Sequence, residues 1–206
     1  MKTDARLFKG FALSGLLFVA IFPETGHSLE KEIVQKQPTL SVGIFPVALL
    51  TNAYAGNVEY LVGPKSSLVA GGVYYAGGGV LSYFGETDGY LLETSFRHHW
   101  QPGLASTFTE FFFRYSDQDG KSFVNENGTR KTIHSSLLLA HGGINLGRKW
   151  ILDNGLTFCF SLGYGVGYTD LKLVAPTVDP DVLNFTKIFT IIMVGTNGEL
   201  SMGWSF

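Results

Sequence analysis

The chain has 206 residues, a formal net charge of −2, 45% hydrophobic and 16% charged side chains, 26 glycines and a single cysteine. The charged share is well under the ~25% usual for soluble domains, which excludes a disordered chain and a nucleic-acid binder, and a lone cysteine excludes an intramolecular disulfide. Many glycines beside 14% aromatics argue against helices, where interior glycine costs about 1 kcal/mol, and for strands on a crowded or curved wall.

In chain order, Lys2, Arg6 and Lys9 precede an apolar run from Gly10 to Phe22, and Gly26 and Ser28 supply small side chains before Leu29. This is the pattern of a secretory signal peptide over residues 1–28, its apolar run shorter than the ~20 residues of a spanning helix. Its removal takes away three basic and two acidic residues and leaves 12 basic and 15 acidic. A segment at 29–38 is expected in the periplasm, and 39–206 is expected to form one domain. The uncharged run from Pro38 to Val58 is long enough to span a membrane as a helix, but its proline, asparagines and glycines suit a helix poorly.

Period two dominates the remainder of the chain. Leu156, Phe158, Phe160, Leu162, Tyr164, Val166 and Tyr168 alternate with Thr157, Cys159, Ser161, Gly163, Gly165, Gly167 and Thr169. One face is large and apolar, the other small and uncharged, which predicts a strand between lipid and a tight lumen. The same alternation predicts strands near 39–48, 53–62, 67–77, 89–100, 105–116, 133–149 and 155–169, with an eighth ending at Phe206. Gly63-Pro64-Lys65, Gln101-Pro102-Gly103 and Asp153-Asn154-Gly155 are turn signals, alternating with longer polar connections near 78–88, 117–132 and 170–184. The expected fold is all-β, a closed antiparallel up-and-down transmembrane barrel of eight strands. Residues 185–206 are too long for one strand; Phe185–Val194 is expected to extend the last strand or belong to the last loop, which keeps the strand number even.

Charges concentrate on the small faces. Glu93, Arg97 and His99 share one side of their strand, Glu110 and Arg114 one side of the next, and Glu59, His141 and Asn145 follow the same alternation. A lipid-facing arginine costs about 2–4 kcal/mol at mid-bilayer, so these side chains should point inward and meet in one polar network that braces the wall and blocks a pore. Trp100, Trp150 and Trp204 fall beside short turns or the last strand, and Tyr74, Tyr90, Tyr115 and Tyr168 beside the long connections. The tryptophans should therefore form a belt at the periplasmic end.

Catalytic patterns are thin. Arg97-His98-His99-Trp100 offers histidines at the periplasmic end, away from outer-leaflet lipid, and His134-Ser135-Ser136 lies at the outer end of its strand with no acid partner nearby in sequence. The histidines show no metal-ligand spacing, and Gly77-Gly78-Gly79 is followed by no helix signal that would make a phosphate loop. The segment Asp117 to Thr132, turn-rich and mixed in charge, is the candidate for outward recognition.

Leu200, Met202, Trp204 and Phe206 alternate with Ser201, Gly203 and Ser205, which resembles the assembly signal of bacterial outer-membrane barrels. With the signal peptide, the strands, Glu93 to His99 before a short turn and Gly143 to Trp150 before an asparagine-glycine turn, residues 39–206 resemble the small eight-stranded outer-membrane barrel proteins of Gram-negative bacteria. The resemblance implies a structural, adhesive or envelope-integrity role, with membrane lipids including lipopolysaccharide and the barrel-assembly machinery as partners. It implies a monomer, no cofactor, no nucleic acid and no catalytic residue. The alternatives are a lipid A-modifying barrel enzyme, an acyl hydrolase or transferase, and a narrow pore.

Overall fold

Alternation of large and small side chains gives a backbone that is extended nearly throughout. The computed structural model describes residues 38–77, 85–126, 129–174 and 180–206; the expected signal peptide lies outside them, as does all but the last residue of the segment at 29–38. Eight antiparallel strands pair in sequence order, and the last closes on the first as a barrel. They are β1 (Leu40–Ile44), β2 (Ala53–Gly63), β3 (Ser66–Ala76), β4 (Gly85–His99), β5 (Thr107–Glu126), β6 (Thr129–Ile151), β7 (Leu156–Val174) and β8 (Thr196–Ser205). A 3-10 turn, Pro46–Thr51, joins β1 to β2, and helix α1, Pro180–Gly195, precedes β8.

Several boundaries differ from expectation: β4 begins at Gly85 and β7 runs to Val174, inside the expected connections 78–88 and 170–184, and three further differences have a local cause. β1 ends at Ile44 instead of residue 48, because Pro46 has no N–H to give a ladder and starts the 3-10 turn. Asn52 closes that turn in the left-handed region at φ 54° and donates its Nδ2 hydrogen to the Gly77 carbonyl at 2.6 Å. The expected connection at 117–132 is largely a hairpin: β5 and β6 pair in unbroken register from Thr107↔Arg148 to Glu126↔Thr129. Polar side chains do not prevent backbone pairing, and Ile133 turns inward there, 1% exposed. Phe185–Val194 belongs to α1 and not to a strand; it lacks the large-and-small alternation that a wall strand carries, and β8 begins only at Thr196, so the strand number is even.

The barrel is inside out relative to a water-soluble sandwich. Large apolar residues face outward, with Val166 71% exposed and Phe113 53%, while Arg97 is 1% and Glu59 1% exposed. Among the apolar residues that break the rule, the rings of Phe108 and Phe112 point inward and are buried. Space for them comes from glycine on the neighbouring strands. A Cβ on Gly143 would lie 2.6 Å from the Phe112 Cζ, and one on Gly165 2.7 Å from the same atom. The ring of Phe112 thus occupies the volume that two side chains would otherwise fill.

This packing is testable. Gly165→Ala should overpack the interior and lower stability in denaturant unfolding by about 1–3 kcal/mol, and adding Phe112→Leu should recover part of the loss. Equal losses with and without the second change would show that the ring is not what the glycine accommodates.

Candidate functional site

Inward positions from around the barrel converge on one guanidinium. Arg97 of β4 donates from Nη1 to Glu59 Oε2 of β2 at 2.9 Å and from Nε to Glu110 Oε1 of β5 at 2.9 Å. Its Nη2 donates to Glu199 of β8, and the Phe108 ring lies 4.4 Å from the guanidinium carbon. Nη1 also approaches the buried Cys159 sulfur on β7, at 3.9 Å. Lys149 of β6 supplies a second cation to Glu59 and reaches Ser41 Oγ of β1 at 3.3 Å.

The carboxylates are saturated with donors. Ser67 Oγ donates to Glu59 Oε1 at 2.5 Å, Ser95 Oγ to Glu110 Oε1 at 2.6 Å and Asn145 Nδ2 to Glu110 Oε2 at 2.7 Å. Glu199 Oε1 accepts from Ser201 Oγ at 2.5 Å and Asn57 Nδ2 at 2.8 Å. His99 fills the floor, with Nε2 2.9 Å from Ser67 Oγ and Nδ1 3.2 Å from Ser106 Oγ. Such saturation is what a buried ion cluster requires, because each charge left without partners would keep its full desolvation cost.

The expected network is therefore split in two. Glu59, Arg97 and Glu110 meet directly, whereas Arg114 does not join them. Its Nη2 donates to the Val194 and Thr196 carbonyls at 2.6 and 2.9 Å, so it ties the end of α1 and the start of β8 to β5. Glu93 is linked to it through Asn197, whose Nδ2 donates to Glu93 Oε2 at 3.0 Å and whose Oδ1 accepts from Arg114 Nη1 at 3.4 Å. His141 stands apart, with Nε2 2.6 Å from Thr169 Oγ1.

Glu199 and Lys149 are cluster members that the alternation pattern alone does not single out. Both carry a signal: Lys149 shares the parity of His141 and Asn145, and Glu199 that of Ser201 and Ser205. Gly195-Thr196-Asn197-Gly198 just before Glu199 also reads as a hairpin turn in sequence, but Gly195 ends α1 and Thr196 to Gly198 begin β8.

Outside, Trp100 and Trp204 are exposed and Trp150 half-buried, all at the end of the barrel carrying the tight turns. Leu200, Met202, Trp204 and Phe206 form an outward row. At the opposite end tyrosines adjoin across strands, Tyr54↔Tyr74 and Tyr74↔Tyr90 in register and Tyr90 with its ring centre 6.2 Å from that of Tyr115. His98 faces outward, one residue from the buried His99. His134 and Ser136 also face outward, and β5 places Lys121 opposite His134 and Asp119 opposite Ser136. Among the described residues no hydrogen bond joins Asp119, His134 and Ser136 into a relay, and no group of three His, Cys, Asp or Glu is arranged to hold a metal ion.

Arg97→Ala should leave three buried carboxylates short of a cation and cost about 3–5 kcal/mol in denaturant unfolding. Glu199→Gln in the same chain should return part of that by removing one uncompensated charge; additive losses would show that the two side chains are not coupled. No family model matches this chain, and no curated protein matches its sequence.

Proposed function

We propose that this chain is an outer-membrane barrel protein of the Gram-negative envelope, exported by a cleaved signal peptide, monomeric, and structural or surface-interacting in role. The observation that carries the reading is the inversion of polarity. Outward positions hold Val58, Tyr60, Leu92, Phe111, Ile144 and Leu162, all near half exposed, while Glu59, Arg97, Glu110 and Lys149 are buried inside. Water offers no reason for that arrangement. A hydrocarbon surround does, because a closed barrel satisfies all its backbone groups and an outward apolar row costs nothing there.

The tryptophan and tyrosine rows at opposite ends support the same reading, as aromatic girdles favour the two interfaces. The tight-turn end, where the tryptophans sit, would then face the periplasm. The hairpin of β5 and β6 would reach outward as the surface for partners such as lipopolysaccharide, and the outward row of β8 would be read by the assembly machinery. The ion cluster around Arg97 favours a closed lumen over a pore, since guanidinium, carboxylates and the Phe108 ring fill the cross-section at that level.

The full chain refolded in detergent should migrate faster in a gel unheated than boiled, give a strand-type far-ultraviolet spectrum, and carry no steady current in planar bilayers. A chain that stays monomeric and folded in buffer without detergent would overturn the membrane assignment. A stable unitary conductance would overturn the closed lumen.

A further inference from the structure

The charge of His99, unlike that of an arginine, has to be read from its neighbours. It is the last residue of β4 and is 0% exposed, at the tight-turn end of the barrel. Its Nε2 lies 2.9 Å from Ser67 Oγ and 3.3 Å from Glu59 Oε1, and its Nδ1 lies 3.2 Å from Ser106 Oγ. A neutral imidazole donates from one ring nitrogen and accepts at the other, so each contact has a direction to be settled.

A serine hydroxyl has a single hydrogen, and both serines have placed theirs elsewhere. Ser67 Oγ donates to Glu59 Oε1 at 2.5 Å, because a carboxylate can only accept. Ser106 Oγ donates to the Thr107 carbonyl at 2.8 Å, which can only accept as well. Each hydroxyl therefore has nothing but lone pairs left for His99. Nε2 has to donate to Ser67 and Nδ1 to Ser106, and a ring that donates from both nitrogens is an imidazolium.

The ion count points the same way. Glu59, Glu110 and Glu199 share their cluster with Arg97 and Lys149, three carboxylates against two cations, a formal charge of −1 in a buried place. Arg114 does not balance it, since it bonds the Val194 and Thr196 carbonyls at the level above, where a cavity of about 580 Å³ lies. An imidazolium at His99 brings the cluster to zero, and it stands against Glu59, the carboxylate on which Arg97 and Lys149 also converge. The groups facing His99 are Glu59 of β2, Ser67 of β3, Ser106 from the turn before β5, and the ring of Phe108 on β5, centred 5.9 Å away, with Lys149 of β6 behind Glu59.

We propose that His99 is a proton switch at the tight-turn end of the barrel. With both ring protons it clasps the end of β4 to β2, to β3 and to the turn that leads into β5. Removal of one proton sets lone pair against lone pair at one of the two serines and returns the buried cluster to −1, so the clasp weakens. The sign follows from proton linkage: a native chain that holds a proton its unfolded form gives up loses stability as pH rises.

The test uses the full chain, made with nitrogen-15-labelled histidine and refolded in detergent micelles, and reads the ring nitrogens by nuclear magnetic resonance at neutral pH. His99 is assigned among the five histidines by its contact with the Phe108 ring. Both of its nitrogens should carry a proton and show the closely similar shifts of an imidazolium. One bare nitrogen beside a protonated one would overturn the proposal outright. Denaturant unfolding should then show the unfolding constant rising about tenfold per pH unit over the range in which the native chain alone keeps the proton. His99→Gln should be less stable at neutral pH and should lose that slope. A slope unchanged in the variant would put the response on another group, Glu93 first among them, and overturn the switch; where the variant does not refold, the ring spectrum of the unaltered chain decides.

Discussion

The burial of Arg97 among carboxylates from β2, β5 and β8 is the constraint around which the rest of the barrel is arranged. A strand pair knows only its neighbour, but this cluster joins strands on different sides of the barrel. It therefore ties closure to chemistry: Glu59 and Glu199 can meet one guanidinium only if β1 stands between β2 and β8 in the register observed. Buried ion clusters are often no more stabilising than apolar packing, and their better-attested use is to specify one arrangement over others. Here the alternatives include one-residue slips of register, which would turn a charged row outward.

Around that cluster the interior is graded. Below it, His99, Ser67 and Ser106 close the tight-turn end. At its level, Phe108 and Phe112 fill volume left by glycines. Above it, small residues on β2 and β3 leave a cavity, and β1 stops short beside it. The packed level and the open one differ in what fills them: ion pairs and rings at the first, a cavity at the second. One wall can hold both because strand length, set at β1 by Pro46, is independent of what the interior side chains do lower down.

Much of this is legible in the sequence, for a physical reason. Period two is a local property of a strand, so the inward placement of Glu59, Arg97, Glu110 and Arg114 follows from residues next to them. Which inward side chains meet does not follow, because cross-barrel distances depend on stagger and closure. That is why Arg114, expected in one network with Glu110, instead holds the start of β8. Hairpin extension beyond the apolar belt is illegible for another reason: once strands leave the belt, both faces of 117–122 are polar or glycine and the alternation disappears, although the backbone ladder continues. α1 is illegible because its apolar residues follow neither a strand wall nor a turn pattern.

The central claim is that the outward apolar face meets lipid, with the three tryptophans at one interface. Tryptophan fluorescence measured in vesicles of phosphatidylcholines brominated at successive acyl positions reads this directly, because Trp100, Trp150 and Trp204 are the chain's only tryptophans and sit at one end of the barrel. Quenching should be strongest with bromines nearest the headgroups and fall toward the chain ends. Emission unaffected by bromine at any depth, in a chain that is folded, would contradict the account.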